Sequence, residues 1–278
     1  MVGRAVSRLV PPIREKKVGS GHYYVDAVGQ RADGVTDVGK RGIPAPALVP
    51  WGINSVADYA VNNWHDLETL PVSERIKALK GAPYAERDAA SNRGREIHAL
   101  ADALVHGEQV DVPDELAGHV DACVAFLNDF DPQPVLTERL VYNLLYGYAG
   151  RLDAVVTVAA RRINPAATGG GASTRLLDYK TGKAIYPDVA PQLAAYAAAE
   201  YYLDDDGEPR PMIPVDGGLA VHLRSDGYDV YPVEIGPRVF RLWLYAQQVA
   251  QWAGTYKNPG WSSEVVGAAL PRPIRSVA

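Results

Sequence analysis

The sequence contains a single cysteine, Cys123, among its 278 residues. One cysteine excludes an intrachain disulfide framework, a zinc ribbon and a four-cysteine iron–sulfur cluster held by one chain. The six histidines show no paired metal-ligand spacing, so a histidine-rich zinc site is not expected either.

Long apolar runs and excess positive charge are also missing. No run is long enough to span a membrane, and the basic segment 1–17 has no apolar core after it, so it does not resemble a secretory signal. We therefore expect a cytoplasmic protein with no membrane partner. The formal net charge of −5 argues against a protein that coats nucleic acid by bulk electrostatics, although it does not exclude a nuclease.

The length permits one large domain or two, and the chain shows no convincing linker and no internal repeat. We expect an N-terminal arm over residues 1–50, one domain over residues 51–258 and an irregular C-terminal tail over residues 259–278. Residues 23–31 predict a short hairpin in the arm. A partly disordered tail is the alternative interpretation of the arm.

Apolar periodicity predicts an α/β fold with a central mixed β-sheet flanked by helices. The predicted helices cover residues 51–64, 73–79, 91–106, 113–130, 187–203 and 240–252, with Gly81 and Pro83 ending the second. The predicted strands cover residues 135–143, 148–158, 174–180, 218–223 and 228–235.

Two carboxylates interrupt segments that otherwise resemble buried strands. Asp153 and Asp178 would be costly there unless a metal, a cation or hydrogen bonds compensate them. Side chains two apart on a strand share a face, so Asp178 projects with Lys180 while Tyr179 faces the other way. With the Tyr179 carbonyl, the two carboxylates predict an oxygen-rich site suited to Mg²⁺ or Mn²⁺.

Four further side chains are ambiguous when each is taken alone. His98 adjoins the apolar stripe of its helix, where a lone histidine is usually a hydrogen-bonded core residue. Glu138 resembles a solvent-facing strand residue. Gln192 and Tyr196 follow Asp188 at four-residue spacing, which commonly marks a solvated helix face, although the surrounding alanines would let that helix approach a sheet closely.

The conjunction of these motifs is more specific than any one of them. A Gly-x-x-Asp strand at residues 150–153, an Asp-x-Lys strand at residues 178–180 and a Gln-x-x-x-Tyr helix at residues 192–196 follow one another in order. Over roughly residues 91–196 the chain resembles the RecB-like branch of the PD-(D/E)xK nuclease superfamily, in particular CRISPR-associated exonucleases and their bacteriophage relatives. The resemblance implies a restriction-endonuclease-like core and a metal-dependent DNA nuclease, in particular an exonuclease acting in phage DNA replication, recombination or processing.

The resemblance also implies roles for individual residues. It makes His98, Asp153, Asp178 and the Tyr179 carbonyl metal ligands, with Glu138 matching an additional acidic residue of some relatives. It makes Lys180 the lysine of the active site, with Gln192 and Tyr196 orienting it or the DNA. Arg95, Arg151 and Lys183 become candidate phosphate contacts, with an ordinary surface charge as the alternative interpretation of each.

The sequence departs from many of these exonucleases because it lacks the four cysteines of their iron–sulfur cluster, so the cluster-free phage members are the better match. A homo-oligomer or a recombination protein would be a further partner beside DNA.

One alternative to a DNA nuclease is a catalytically inactive nuclease-fold module that binds DNA or protein. Another is a metabolic enzyme in which the motifs coincide by chance, which would predict a deep apolar pocket near a different cluster.

Overall fold

The computed structural model describes residues 9–19, 21–164, 166 and 170–254, so the expected tail at residues 259–278 lies outside the described chain. The described helices are α1 (Val35–Gly42), α2 (Leu48–Asn62), α3 (Trp64–Thr69), α4 (Val72–Val105), α5 (Ala117–Phe130), α6 (Ala160–Ile163), α7 (Val189–Ala197) and α8 (Pro237–Gly254). The described strands are β1 (Arg14–Val18), β2 (Gly21–Val25), β3 (Arg31–Gly34), β4 (Gln133–Thr137), β5 (Leu140–Asn143), β6 (Tyr148–Arg151), β7 (Ala154–Ala159), β8 (Ala172–Lys180), β9 (Tyr201–Leu203), β10 (Pro209–Pro211), β11 (Gly217–Arg224) and β12 (Gly227–Val233). The protein is thus an α/β fold, as the sequence predicts.

The strands form two mixed sheets rather than one. The first sheet has the order β1-β2-β3-β6-β5-β9-β10, and the second has the order β12-β11-β8-β7-β4. Each contains one parallel pair, β3 with β6 in the first and β8 with β11 in the second, and the other pairs are antiparallel. The expectation of a single central sheet was therefore too simple.

The chain crosses between the sheets at two adjacent breaks. The predicted strand over residues 135–143 is broken at Glu138, whose φ of 49° is left-handed, and the strand over residues 148–158 is broken at Asp153. Glu138 donates its backbone N–H to the Asp153 carbonyl at 2.8 Å, and Leu152 donates to the Arg139 carbonyl at 3.0 Å. These hydrogen bonds hold the crossing segments together, so Glu138 and Asp153 lie where the sheets separate.

Helices cover both faces of the five-stranded sheet. Along β7, Val155 belongs to a core with Leu193 of α7 and Trp243 of α8, whereas the next residue, Val156, belongs to a core with Ile97 of α4 and Phe126 of α5. This alternation is the expected period of two for a strand buried on both sides. As a consequence, α4 and α7 lie on opposite faces of the sheet that contains β8, the strand that bears Asp178 and Lys180.

Two helix predictions were wrong. Gly81 and Pro83 do not end a helix, because α4 runs without interruption from Val72 to Val105. Packing outweighs those local stop signals: Ala82 is buried, and Ser55 of α2 donates a hydrogen bond to Glu86 of α4.

The helix predicted over residues 187–203 ends at Ala197. The following residues form β9, in which Tyr202 pairs with Val141 of β5. Pairing with a strand that is distant in sequence overrides the local helical pattern here. The hairpin of β11 with β12 and the final helix α8 are confirmed.

The described part of the N-terminal arm is built into the fold. Strand β3 pairs in parallel with β6, and Val35 and Val38 of α1 are buried in the core beside α7 and α8. The alternative of a disordered tail does not hold for residues 9–19 and 21–50. As a consequence, α1 lies close to the helix that carries Gln192 and Tyr196.

Candidate active site

Asp178 and Lys180 project from the same face of β8, as the strand alternation predicts. Their side chains form an ion pair with 2.6 Å between Lys180 Nζ and Asp178 Oδ2. Asp178 is almost fully buried, with 3% of its side chain exposed, whereas 28% of the Lys180 side chain is exposed. The lysine is therefore the solvent-facing member of the pair and can reach a bound molecule.

Asp153 precedes the first residue of β7, which pairs with β8 so that Ala154 is opposite Leu177. The next position along this antiparallel register places Asp153 beside Asp178. The Asp153 Oδ2 atom accepts a hydrogen bond of 2.8 Å from the backbone N–H of Tyr179. The two strand carboxylates are thus brought together by the β7–β8 pair.

His98 reaches the same place from α4. Its Nδ1 atom lies 3.4 Å from Asp153 Oδ2, and its ring packs edge-on against Tyr179 with centroids 6.1 Å apart. Close approach of α4 to the turn after β8 is aided by Gly94, where an added Cβ would lie 3.3 Å from Thr181 Oγ1. The structure therefore brings His98 to the strand carboxylates from a separate element.

A potential metal-binding group joins His98, Glu138 and Asp153. One ligand atom from each residue lies within 4.8 Å of the others, and each side chain is partly exposed. One imidazole nitrogen and two carboxylate oxygens suit Mn²⁺ or Mg²⁺. Asp178, which the sequence also suggests as a ligand, is outside this group and pairs with Lys180.

The electrostatics of the site are dominated by burial and by opposed charges. Burial acts to lower the pKa of His98, but the charge and hydrogen bond of Asp153 raise that pKa to about 9. Burial and the neighbouring Asp153 raise the pKa of Glu138 to about 7. Burial also raises the pKa of Asp178, against the opposing charge of Lys180. Such a concentration of shifted groups is typical of functional sites.

Gln192 and Tyr196 of α7 complete the cluster on the opposite side of β8 from α4. Gln192 lies 3.4 Å from both Lys180 Nζ and Asp178 Oδ1, so its amide bridges the ion pair. The hydroxyl of Tyr196 is buried and lies 3.5 Å from Thr36 Oγ1. Gln192 therefore contacts both members of the ion pair, whereas the hydroxyl of Tyr196 contacts α1 in the core.

The three expected phosphate contacts have different surroundings. Arg151 is already engaged, because it donates to the Glu138 carbonyl and pairs with Glu15 at 2.8 Å. Lys183 is 86% exposed and lies 4.0 Å from Glu86, and Arg95 is exposed and donates to Asn92. Lys183 and Arg95 remain accessible, whereas Arg151 holds the backbone of Glu138.

Sequence reasoning did not identify the site residues contributed by the N-terminal arm. Glu15 of β1 holds Arg151, and Thr36 of α1 contacts Tyr196. The local signals in this segment were the hairpin predicted near residues 23–31 and the extended stretch predicted at residues 43–46, and neither includes Glu15 or Thr36. Nothing in the spacing of Glu15 or Thr36 could reveal contacts with residues more than a hundred positions away.

Comparisons with known proteins do not identify a family. No protein-family model and no curated protein matches the sequence. Among solved structures, the crystal structure of SSO0001 aligns with 86% of this chain and 84% of its own, at 16% sequence identity and a TM-score of 0.28. A score this low carries no argument about fold or function.

No helix among the described residues is long and apolar enough to cross a membrane.

Proposed function

We propose that the protein is a metal-dependent DNA nuclease that hydrolyses phosphodiester bonds, with a restriction-endonuclease-like core and the action of an exonuclease. The observation that carries this proposal is the convergence of His98, Asp153, Asp178 and Lys180 from α4 and two paired strands. A buried acid beside a partly exposed lysine, next to a group of metal-binding type, suits attack on a phosphodiester.

In this proposal His98, Glu138 and Asp153 hold a divalent cation, with Asp178 and the Tyr179 carbonyl as further ligands. When bound, Mg²⁺ or Mn²⁺ supplies a Lewis acid for the phosphate and lowers the pKa of a coordinated water. Lys180 already directs two of its three N–H groups at Asp178 and Gln192, and it donates the third to a phosphate oxygen on which negative charge develops. Gln192 keeps the Lys180 ammonium group oriented through its side-chain oxygen.

The organisation of the site supports the proposal over a chance coincidence of motifs. Each motif residue lies on the predicted kind of element or directly at its end, and the elements converge on one locus. The second candidate is a nuclease-fold module that binds DNA or protein without cutting it. The ion pair of Lys180 with Asp178 favours catalysis, because a binding module has no chemical need for a buried acid there.

A cytoplasmic location and a homo-oligomer or recombination protein as partner belong to the same proposal.

The test is incubation of the protein with end-labelled linear DNA and with covalently closed circular DNA, in Mg²⁺ and in Mn²⁺. We expect degradation of the linear substrate with either metal and none in the presence of a chelator. An exonuclease leaves the circular substrate intact, whereas an endonuclease cuts it. Retained DNA binding without cleavage of any substrate would instead favour the binding module.

A matched pair of substitutions assigns the activity to this site. Asp178→Asn removes one buried charge while keeping the shape of the side chain, and it should abolish cleavage. Asp206→Asn makes the same chemical change at an exposed residue of the turn between β9 and β10, and it should leave cleavage unchanged. Equal activity of the two variants would place the reaction elsewhere in the protein.

A further inference from the structure

A cavity of 280 Å³ opens directly beside the reactive pair. Lys180 and Gln192 form part of its wall, and the remainder comes from α1, from the segment joining β8 to α7 and from Trp243 of α8. The cavity and the candidate active site therefore share two side chains. A molecule in this cavity would contact the same lysine that we place next to the reacting phosphate.

The lining of the cavity combines apolar walls with a charged rim. Ile43, the residue after α1, and Ile185, in the segment after β8, line it, and Tyr186 lines it with a side chain that is 53% exposed. Lys40 adds a second cation beside Lys180, while Asp188 is the acidic residue of the lining. Such a lining suits a flat apolar ring with a polar edge and an attached anion.

Trp243 of α8 closes the inner wall of the cavity. It lies at the cavity wall, it is fully buried, and its Nε1–H has no hydrogen-bond acceptor within the described part of the chain. A buried N–H without an acceptor is costly, and native proteins rarely keep one. Because no part of Trp243 is exposed, this nitrogen is not a contact for the ligand, and the polar groups that can reach a ligand are those of Lys40, Lys180 and Gln192.

We propose that this cavity binds one unpaired nucleobase of the substrate strand, adjacent to the phosphate at Lys180. The inference rests on the proposed nuclease function and specifies its substrate. Tyr186 stacks on the base, and Lys40 contacts the neighbouring phosphate. A base within a duplex is paired and stacked on both sides, so the cavity requires a single strand or a frayed end.

The test measures the binding of fluorescently labelled single-stranded oligonucleotides by anisotropy, using full-length Asp178→Asn protein in Mg²⁺. Each oligonucleotide carries one abasic residue, placed at successive positions from the end. A base-binding cavity predicts that one position weakens binding much more than its neighbours, by at least about fivefold, because stacking of one base on an aromatic ring is lost. Equal affinities at all positions would overturn the proposal.

A pair of tyrosine variants locates the effect without disturbing the core. Tyr186→Ala should weaken binding of the intact oligonucleotide by at least about fivefold and should remove the dependence on abasic position. Tyr245→Ala, at a similarly exposed residue of α8 outside the cavity, should change neither property. Equal behaviour of the two variants would contradict the assignment of Tyr186.

Cleavage of the intact oligonucleotide by wild-type protein is measured in parallel, so that the two proposals can fail separately. Cleavage together with position-independent binding overturns the nucleobase cavity alone. A position-specific loss of binding without cleavage overturns the catalytic function and leaves the cavity in place. Absence of any oligonucleotide binding overturns the cavity directly.

Discussion

Gly150 lies directly against the ring of Tyr196. A Cβ atom added at Gly150 would be 2.6 Å from Tyr196 Cε1 and 3.1 Å from two side-chain atoms of Val35. The glycine of the Gly-x-x-Asp motif therefore leaves room for the tyrosine of the Gln-x-x-x-Tyr motif. One packing contact therefore accounts for a residue of each motif, although the two motifs are separate in sequence.

We expect Gly150→Ala to reduce both stability and activity, because the added methyl group has no free space between Val35 and Tyr196. Overpacking of this kind costs about 1–3 kcal/mol of the free energy of unfolding. Thermal unfolding and the DNA cleavage assay measure the two effects. Gly171→Ala is the control, because an added Cβ there meets nothing within 4 Å. A wild-type melting temperature for Gly150→Ala would show that Tyr196 can move without cost.

Cys123 should be inert toward thiol reagents in the folded protein. It is 1% exposed, and burial raises its pKa to about 12, so almost no thiolate is present at pH 8. A chromogenic disulfide reagent should react with it only after denaturation. The double variant Val61→Cys with Cys123→Ser should react at once, since Val61 is 78% exposed on α2. Rapid labelling of native wild-type protein would contradict the packing of α5.

The sequence predicts those parts of the site that depend on local periodicity. The shared face of Asp178 and Lys180 follows from strand alternation, and the placement of Gln192 follows from helical spacing beside alanines. The break at Glu138 could not be predicted, because its left-handed backbone is set by the crossing between two sheets. The contact of Thr36 with Tyr196 could not be predicted either, since it depends on the parallel pairing of β3 with β6.

The free energy of unfolding of the metal-free protein, measured in the presence of a chelator, should fall as pH rises from 7 to 9. Asp153 holds the pKa of His98 at about 9 against the opposing effect of burial, whereas an unfolded histidine titrates near 6.5. A raised pKa contributes stability that is complete below the unfolded value and is lost as pH rises through the folded value. The slope is at most about 1.4 kcal/mol per pH unit for one proton.

Denaturant unfolding in the presence of a chelator, repeated at several pH values, measures this slope. The window begins at pH 7 because Glu138, with its pKa raised to about 7, contributes its own dependence below that value. His98→Gln should flatten the curve, whereas His65→Gln should not, since His65 is 99% exposed. A wild-type curve that is level from pH 7 to 9 would contradict the ion pair of His98 with Asp153.

Lys180 and Asp178 should show strong coupling in a double-substitution cycle. Lys180→Ala leaves the Asp178 carboxylate buried without its cation. This change should lower the free energy of unfolding of the metal-free protein by about 1–3 kcal/mol. It should also reduce cleavage by about 10²–10³-fold, because a donor to the reacting phosphate is lost. Lys183→Ala removes the same charge from a side chain that is 86% exposed, and it should change stability by less than about 0.5 kcal/mol.

Adding Asp178→Asn to Lys180→Ala separates the structural role of the pair from its chemical role. A neutral amide needs no cation, so the double variant should recover stability relative to Lys180→Ala while remaining inactive. Thermal unfolding in chelator and cleavage in Mn²⁺ give the two measurements. Additive losses of stability would mean that the 2.6 Å contact contributes nothing to folding. Cleavage by Lys180→Ala at the wild-type rate would remove Lys180 from the reaction and leave it only a structural partner of Asp178.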